Sequence, residues 1–200
     1  MRKISAIAFL LVVLLASTAV AGKFNKVLSI GDTAPSLANI VGTDDKQHSL
    51  ADYKDAKAIV VVFTCNHCPV AQQYEQRLVE LQRDYKDKNV QVIAICVNGG
   101  DEDNLAHMKK RAEEREFNFP YLSDPTQAAG KLYGAQKTPE VVVLDGKRKV
   151  VYMGAIDDSW MAADEVKKPY VRNALDAVLS GKSPEVQEAR ATGCGIEYAR

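Results

Sequence analysis

The chain has 200 residues, 46% of them hydrophobic, with 26 Lys plus Arg against 26 Asp plus Glu and four cysteines. A balanced charge excludes a protein built to coat nucleic acid or an anionic membrane surface, and the length suits one domain with a sizeable core. Four unevenly spaced cysteines exclude a small scaffold stapled by disulfides.

The chain opens on Arg2-Lys3, an apolar run from Ile4 to Ala16, and the small-x-small pattern Ala19-Val20-Ala21. This is the pattern of a secretion leader, with cleavage expected after Ala21 and Gly22 as the mature start. The apolar run is shorter than the about 20 residues of a bilayer span, so it is read as cleaved rather than as an anchor. No cysteine lies near the cut, which disfavours a lipid anchor. The expected location is therefore periplasmic or secreted, where disulfides persist. The expected domains are a leader over 1–21, one folded domain over 22–182 and a polar tail over 183–200.

Turn signals at Gly31-Asp32, Ala34-Pro35 and Gly42-Thr43-Asp44-Asp45 make residues 22–57 irregular, with a short hairpin around Gly42 and a helical turn over 49–53. Residues 58–64 form an apolar run fit for the centre of a covered sheet. From Cys68 to Lys86 the spacing of Val70, Tyr74, Leu78 and Leu81 predicts a helix, with Pro69 acceptable only in its first turn. A second buried strand spans 90–97, and Asn98-Gly99-Gly100-Asp101 ends it. A charged, solvated helix over 102–116, a short extended piece at 119–124 and a helix over 126–133 follow. Strands at 140–145 and 149–154 make a hairpin, and a helix over 166–179 closes the domain. The order implies an α/β thioredoxin-like fold: a central mixed β-sheet, helices on both faces, and a helical insert before the final hairpin.

Cys65-Asn66-His67-Cys68 stands where the first long strand meets the first long helix. Two thiols on the first turn of a helix would share its positive dipole and its unpaired N–H groups, which favours a thiolate. A structural zinc site needs two further ligands at suitable spacing. The chain offers no second C-x-x-C and only His48, His67 and His107, so the pair is read as redox-active with no metal.

Three segments carry a family resemblance: Phe63-Thr64-Cys65-Asn66-His67-Cys68-Pro69-Val70, Lys137-Thr138-Pro139-Glu140 and Gly154-Ala155-Ile156-Asp157-Asp158. Together with the opening Ile30-Gly31-Asp32-Thr33-Ala34-Pro35, they resemble exported thioredoxin-like proteins of the redoxin (AhpC/TSA-related) group over most of residues 27–180. The resemblance implies a thiol–disulfide oxidoreductase of the cell envelope. Its partners would be client proteins with thiols or disulfides and a protein that resets its redox state. No cofactor, no nucleic acid and no stable membrane insertion after leader cleavage are expected.

By the same resemblance Cys65 is the exposed nucleophile and Cys68 resolves its mixed disulfide. His67 and Asn66 are the modulating spacer residues. A partly protonated imidazole beside a thiolate stabilises the reduced form and makes the disulfide more oxidising. Strongly oxidising relatives carry Pro where this chain has Asn66. Thr138 and Pro139 match the cis-proline segment whose backbone receives a client peptide in β fashion. Thioredoxins place a buried Asp six residues before the first cysteine; here Ile59 stands there, leaving Asp157 and Asp158 as candidate proton acceptors, both read as solvated loop. Cys96 is expected to be a small core residue. Cys194, between Gly193 and Gly195 in a mobile tail, is a candidate third redox thiol or an intermolecular one. Trp160 covers the pair's mouth or fills the core.

Two other functions compete. A thiol peroxidase needs Pro-x-x-x-Thr/Ser-x-x-Cys, but Val61 and Cys65 hold those positions before Cys68, and Ala58 and Val62 before Cys65. A thioredoxin-like copper chaperone uses a wider cysteine spacing and a distant histidine, and no histidine follows His107.

Overall fold

The computed structural model describes residues 22–199, so the expected leader lies outside the described residues. A hairpin of β1 (Ile40–Gly42) and β2 (Gln47–His48) comes first, followed by a single 3₁₀ turn over Leu50–Tyr53. The central strands β3 (Ala58–Phe63) and β4 (Val90–Cys96) are joined by α1 (Pro69–Tyr85). Next come α2 (Leu105–Glu114), β5 (Tyr121–Ser123) and α3 (Ala128–Tyr133). The chain continues through β6 (Lys137–Thr138), the hairpin β7 (Glu140–Asp145) and β8 (Val150–Gly154), α4 (Tyr170–Leu179), β9 (Glu188–Ala189) and β10 (Cys194–Gly195).

Eight strands form one sheet in the order β2-β1-β5-β4-β3-β7-β8-β9. β3 runs parallel to β4 and antiparallel to β7, which makes the sheet mixed as expected. Every residue of β3 is fully buried. Its pleat sends Ala58, Val60 and Val62 to the face packed by α1, α2 and α4, while Ile59, Val61 and Phe63 meet α3 and the N-terminal segment. An unbroken apolar run is what a strand covered on both sides requires.

α4 begins at Tyr170, four residues after the expected start. Pro169 immediately before it has no N–H to donate and biases Lys168 away from helical backbone, so the helix cannot extend back through it.

The C-terminal segment departs from the expected mobile tail. β9 adds to the main sheet beside β8, and β10 pairs antiparallel with β6 in a second, two-stranded sheet. Gly154, at φ +120, lets β9 approach: a Cβ there would stand 1.7 Å from the Ala189 carbonyl oxygen. Polar composition misled because backbone pairing holds the segment, and pairing leaves no apolar pattern. Among the described residues, no helix is long and apolar enough to cross a membrane.

Candidate active site

Cys65 leaves β3 through Thr64, whose N–H still donates to Ile95 at 3.0 Å. The chain then turns, and Cys68 becomes the N-cap of α1, its backbone extended and its sulfur accepting the Ala71 N–H at 3.5 Å. Pro69 follows at the first helical position, where its missing N–H costs nothing. The helix end therefore acts directly on Cys68, not equally on both cysteines as the sequence suggests; Cys65 sits three residues earlier, in the turn.

Thr138, just before the strand β7 that pairs with β3, spans the couple. Its hydroxyl lies 3.3 Å from the Cys65 sulfur, and its carbonyl accepts from the Cys68 thiol at 3.0 Å. The Thr138-Pro139 peptide is cis, as the resemblance implies. Both cysteines are free, and both sulfurs meet Thr138. Neither is exposed: Cys65 shows 2% of its surface and Cys68 none. The expected exposed nucleophile is thus enclosed, because Thr138 and the His67 ring both lie against its sulfur.

The reduced couple holds its protons unequally. The hydrogen bond with Cys68, then burial and the charge of Asp103, push the Cys65 thiol up. The hydrogen bond donated by Cys65 holds Cys68 down against burial, helped by donors from Cys194 and Ala71. The Thr138 carbonyl opposes this, since it can only accept a proton from Cys68. The balance favours the charged form at Cys68 over Cys65.

Asp103 is the residue the sequence does not reveal. It ends the 3₁₀ turn Asp101–Asp103 before α2 and is 4% exposed. Its carboxylate accepts the Asn66 N–H at 2.7 Å and the His67 N–H at 3.4 Å, and pairs with Nδ1 of the His67 ring. Nε2 of that ring then faces the Cys65 sulfur at 4.0 Å. The result is a carboxylate–imidazole–thiol line in which Asp103 orients His67 toward Cys65. Nothing local marks Asp103 out from Asp101 and Glu102.

Asn66 proves to be a tether as much as a spacer. Besides its N–H to Asp103, its amide donates to Glu102 at 2.7 Å and accepts from the Tyr121 hydroxyl at 3.0 Å. Its carbonyl accepts from Gln72 at 2.7 Å. Proline at this position would delete the N–H that Asp103 receives.

Cys65, His67 and Asp103 bring one donor atom each within 4.8 Å of one another, the arrangement closest to a metal site among the described residues. Asp103 approaches the ring through Nδ1 while Cys65 faces Nε2, so the ring stands between sulfur and carboxylate. This geometry suits proton movement along the line better than one ion held by all three.

The other candidates separate clearly. Asp157, expected in solvent, is buried; it accepts from the Tyr74 hydroxyl and from Arg77, both at 2.8 Å, and from the Ser159 N–H at 3.0 Å. Those contacts spend its lone pairs away from the thiols. Asp158 is exposed and caps the Lys167 and Lys168 N–H groups. Cys96 is buried at the end of β4, and burial pushes its thiol up to about 12. Trp160 packs half-buried against the core and lines a groove that also contains Pro139. The backbone edge of Thr138, expected to receive a client, already carries Cys194 as its strand partner.

The family model for redoxins matches residues 29–169. Among solved structures, an uncharacterized conserved protein from Geobacillus kaustophilus is similar at 36% identity and a TM-score of 0.81, covering 88% of this chain and 95% of its own. A hypothetical protein from Sinorhizobium meliloti 1021 matches at 29% identity with the same TM-score, over 88% of this chain and 97% of that one. A putative thiol:disulfide interchange protein DsbE from Chlorobium tepidum shares the fold at 22% identity and a TM-score of 0.60, over 77% of this chain and 97% of that one. No match was found among curated proteins.

Proposed function

The chain belongs to the redoxin family and has a thioredoxin-like redox function; from that premise we propose that it exchanges disulfides with protein thiols in the cell envelope through Cys65 and Cys68. The observation that carries this reading is that Thr138 meets both sulfurs, its hydroxyl 3.3 Å from Cys65 and its carbonyl accepting from the Cys68 thiol at 3.0 Å.

Cys65, 2% exposed against none for Cys68, is the member nearer the surface and is assigned the attack on a client. As Cys65 attacks a client disulfide, its proton passes to Cys68, the member of the pair whose charged form is favoured. A Cys65–client bond forms and one client sulfur leaves. Cys68 then attacks the Cys65 sulfur, closing the internal disulfide and releasing the second client thiol, which takes up the proton. Run backwards, the same steps oxidise a client. The reduction potential fixes the direction: about −120 mV marks a disulfide donor and about −270 mV a reductase.

Exchange with a model peptide disulfide tests the reading. Cys65→Ser should lose activity at least about a hundredfold, while Cys68→Ser should accumulate a mixed disulfide at Cys65 that is not resolved. Full activity in either variant would overturn it. The leader pattern of residues 1–21 supports export; a secreted form whose N-terminal sequence begins at Gly22 is the matching outcome.

A further inference from the structure

The thiol couple has a third sulfur beside it, delivered by a strand that is firmly held. Cys194 pairs in register with Thr138, the residue whose carbonyl faces Cys68. Gly193, at φ +154, packs so closely that a Cβ there would stand 2.0 Å from the Thr138 carbonyl oxygen. Beyond Cys194, the Ile196 N–H donates to Gln136 at 3.0 Å and the Tyr198 hydroxyl donates to Ala135 at 2.7 Å. Gln127 donates to the Glu197 carbonyl at 2.9 Å and accepts the Ala199 N–H at 2.7 Å. These bonds hold Cys194 opposite Thr138, whose carbonyl accepts from Cys68, and pack it on the cluster that contains both Cys65 and Cys68. Its other side lines a groove of about 780 Å³ that also includes His67, Asn98 and Gln127.

We propose that Cys194 is a third redox thiol, which takes Cys68 over from Cys65 after the Cys65–Cys68 disulfide has formed. The inference rests on the exchange reaction proposed above. The Cys194 thiolate attacks the Cys68 sulfur; the Cys68–Cys194 bond forms and the Cys65–Cys68 bond breaks. Cys65 leaves as a thiolate and takes up a proton equivalent to the one Cys194 released to solvent. One disulfide exists before and after, so no oxidant is consumed. Cys65 is thereby returned for a second client while the disulfide moves to the groove wall. A redox partner protein with a reactive thiol would meet it there at Cys194, the half-buried member of the three.

Two measurements on the full chain test this. In the first, the reduced protein receives one equivalent of a model peptide disulfide, and its free thiols are alkylated and mapped by mass spectrometry. Wild type should yield the Cys68–Cys194 linked peptide with Cys65 alkylated; Cys194→Ser should lower Cys65 labelling about tenfold. In the second, Cys65→Ser is oxidised with diamide, which needs no exchange activity. An internal Cys68–Cys194 disulfide in a monomer supports the relay. Alkylatable Cys68 and Cys194 after diamide treatment, or Cys65 equally protected in wild type and in a Cys194→Ser that does form the Cys65–Cys68 disulfide, overturns it. Failure of the exchange reading instead shows as no internal disulfide in Cys194→Ser while Cys65→Ser still forms the Cys68–Cys194 bond.

Discussion

The carboxylate of Asp103 accepts the backbone N–H of Asn66 at 2.7 Å, although 37 positions separate them in the chain. The insert between β4 and β5 therefore holds the turn that carries Cys65 and His67. A charge-assisted bond to a buried backbone donor is among the stronger single contacts available to a protein.

The negative charge of Asp103 is also one of the influences that keep the Cys65 thiol protonated. Asp103→Asn should accordingly move the pH midpoint of Cys65 alkylation downward, followed by iodoacetamide labelling and mass spectrometry. The weakened bonds to Asn66 and His67 should cost about 1–3 kcal/mol of stability in urea titrations. A midpoint that stays or rises would remove Asp103 from the electrostatics of the couple.

Arg77 and Asp157 form a largely buried ion pair, with side chains 14% and 5% exposed. Removing one partner strands the other charge, so Arg77→Met should destabilise the protein by about 3–5 kcal/mol. The pH profile of Cys65 labelling should not change, because Asp157 turns its oxygens to Tyr74, Arg77 and Ser159. A loss below about 1 kcal/mol, typical of exposed pairs, would contradict the burial argument.

Glu140 is buried at the start of β7, and burial raises its pKa above 4.5 even though it accepts the Gln136 and Lys137 N–H groups. The folded state thus binds this proton more tightly than the unfolded state. Its contribution to stability falls as pH rises from the unfolded value through the raised folded one. Relative to Glu140→Gln, wild type should lose urea resistance across that window. A difference independent of pH would refute the assignment.

Gly193 permits the contact between β10 and β6. Gly193→Ala puts a Cβ against the Thr138 carbonyl at a φ that L-residues rarely adopt, a strain of about 1–3 kcal/mol. Amide exchange over residues 188–199 should accelerate while α1 stays protected. Unchanged protection in the C-terminal segment would show that side-chain anchors alone hold it.

The sequence by itself determined the order of the main strands and helices through α4 and the position of the Cys65–Cys68 pair. Both are local: β3 reads as an unbroken apolar run, α1 as a four-residue rhythm started by Pro69, and Cys68 stands at the helix end because of that boundary. Tertiary structure alone decided which loops met the couple. Asp103, Asp157 and Cys194 lie in segments with the composition of solvent-facing turns, and each is drawn inward by a backbone or buried partner supplied from far along the chain. Periodicity records which face of an element is covered. It holds no record of which distant loop does the covering, because that depends on strand order in the finished sheet.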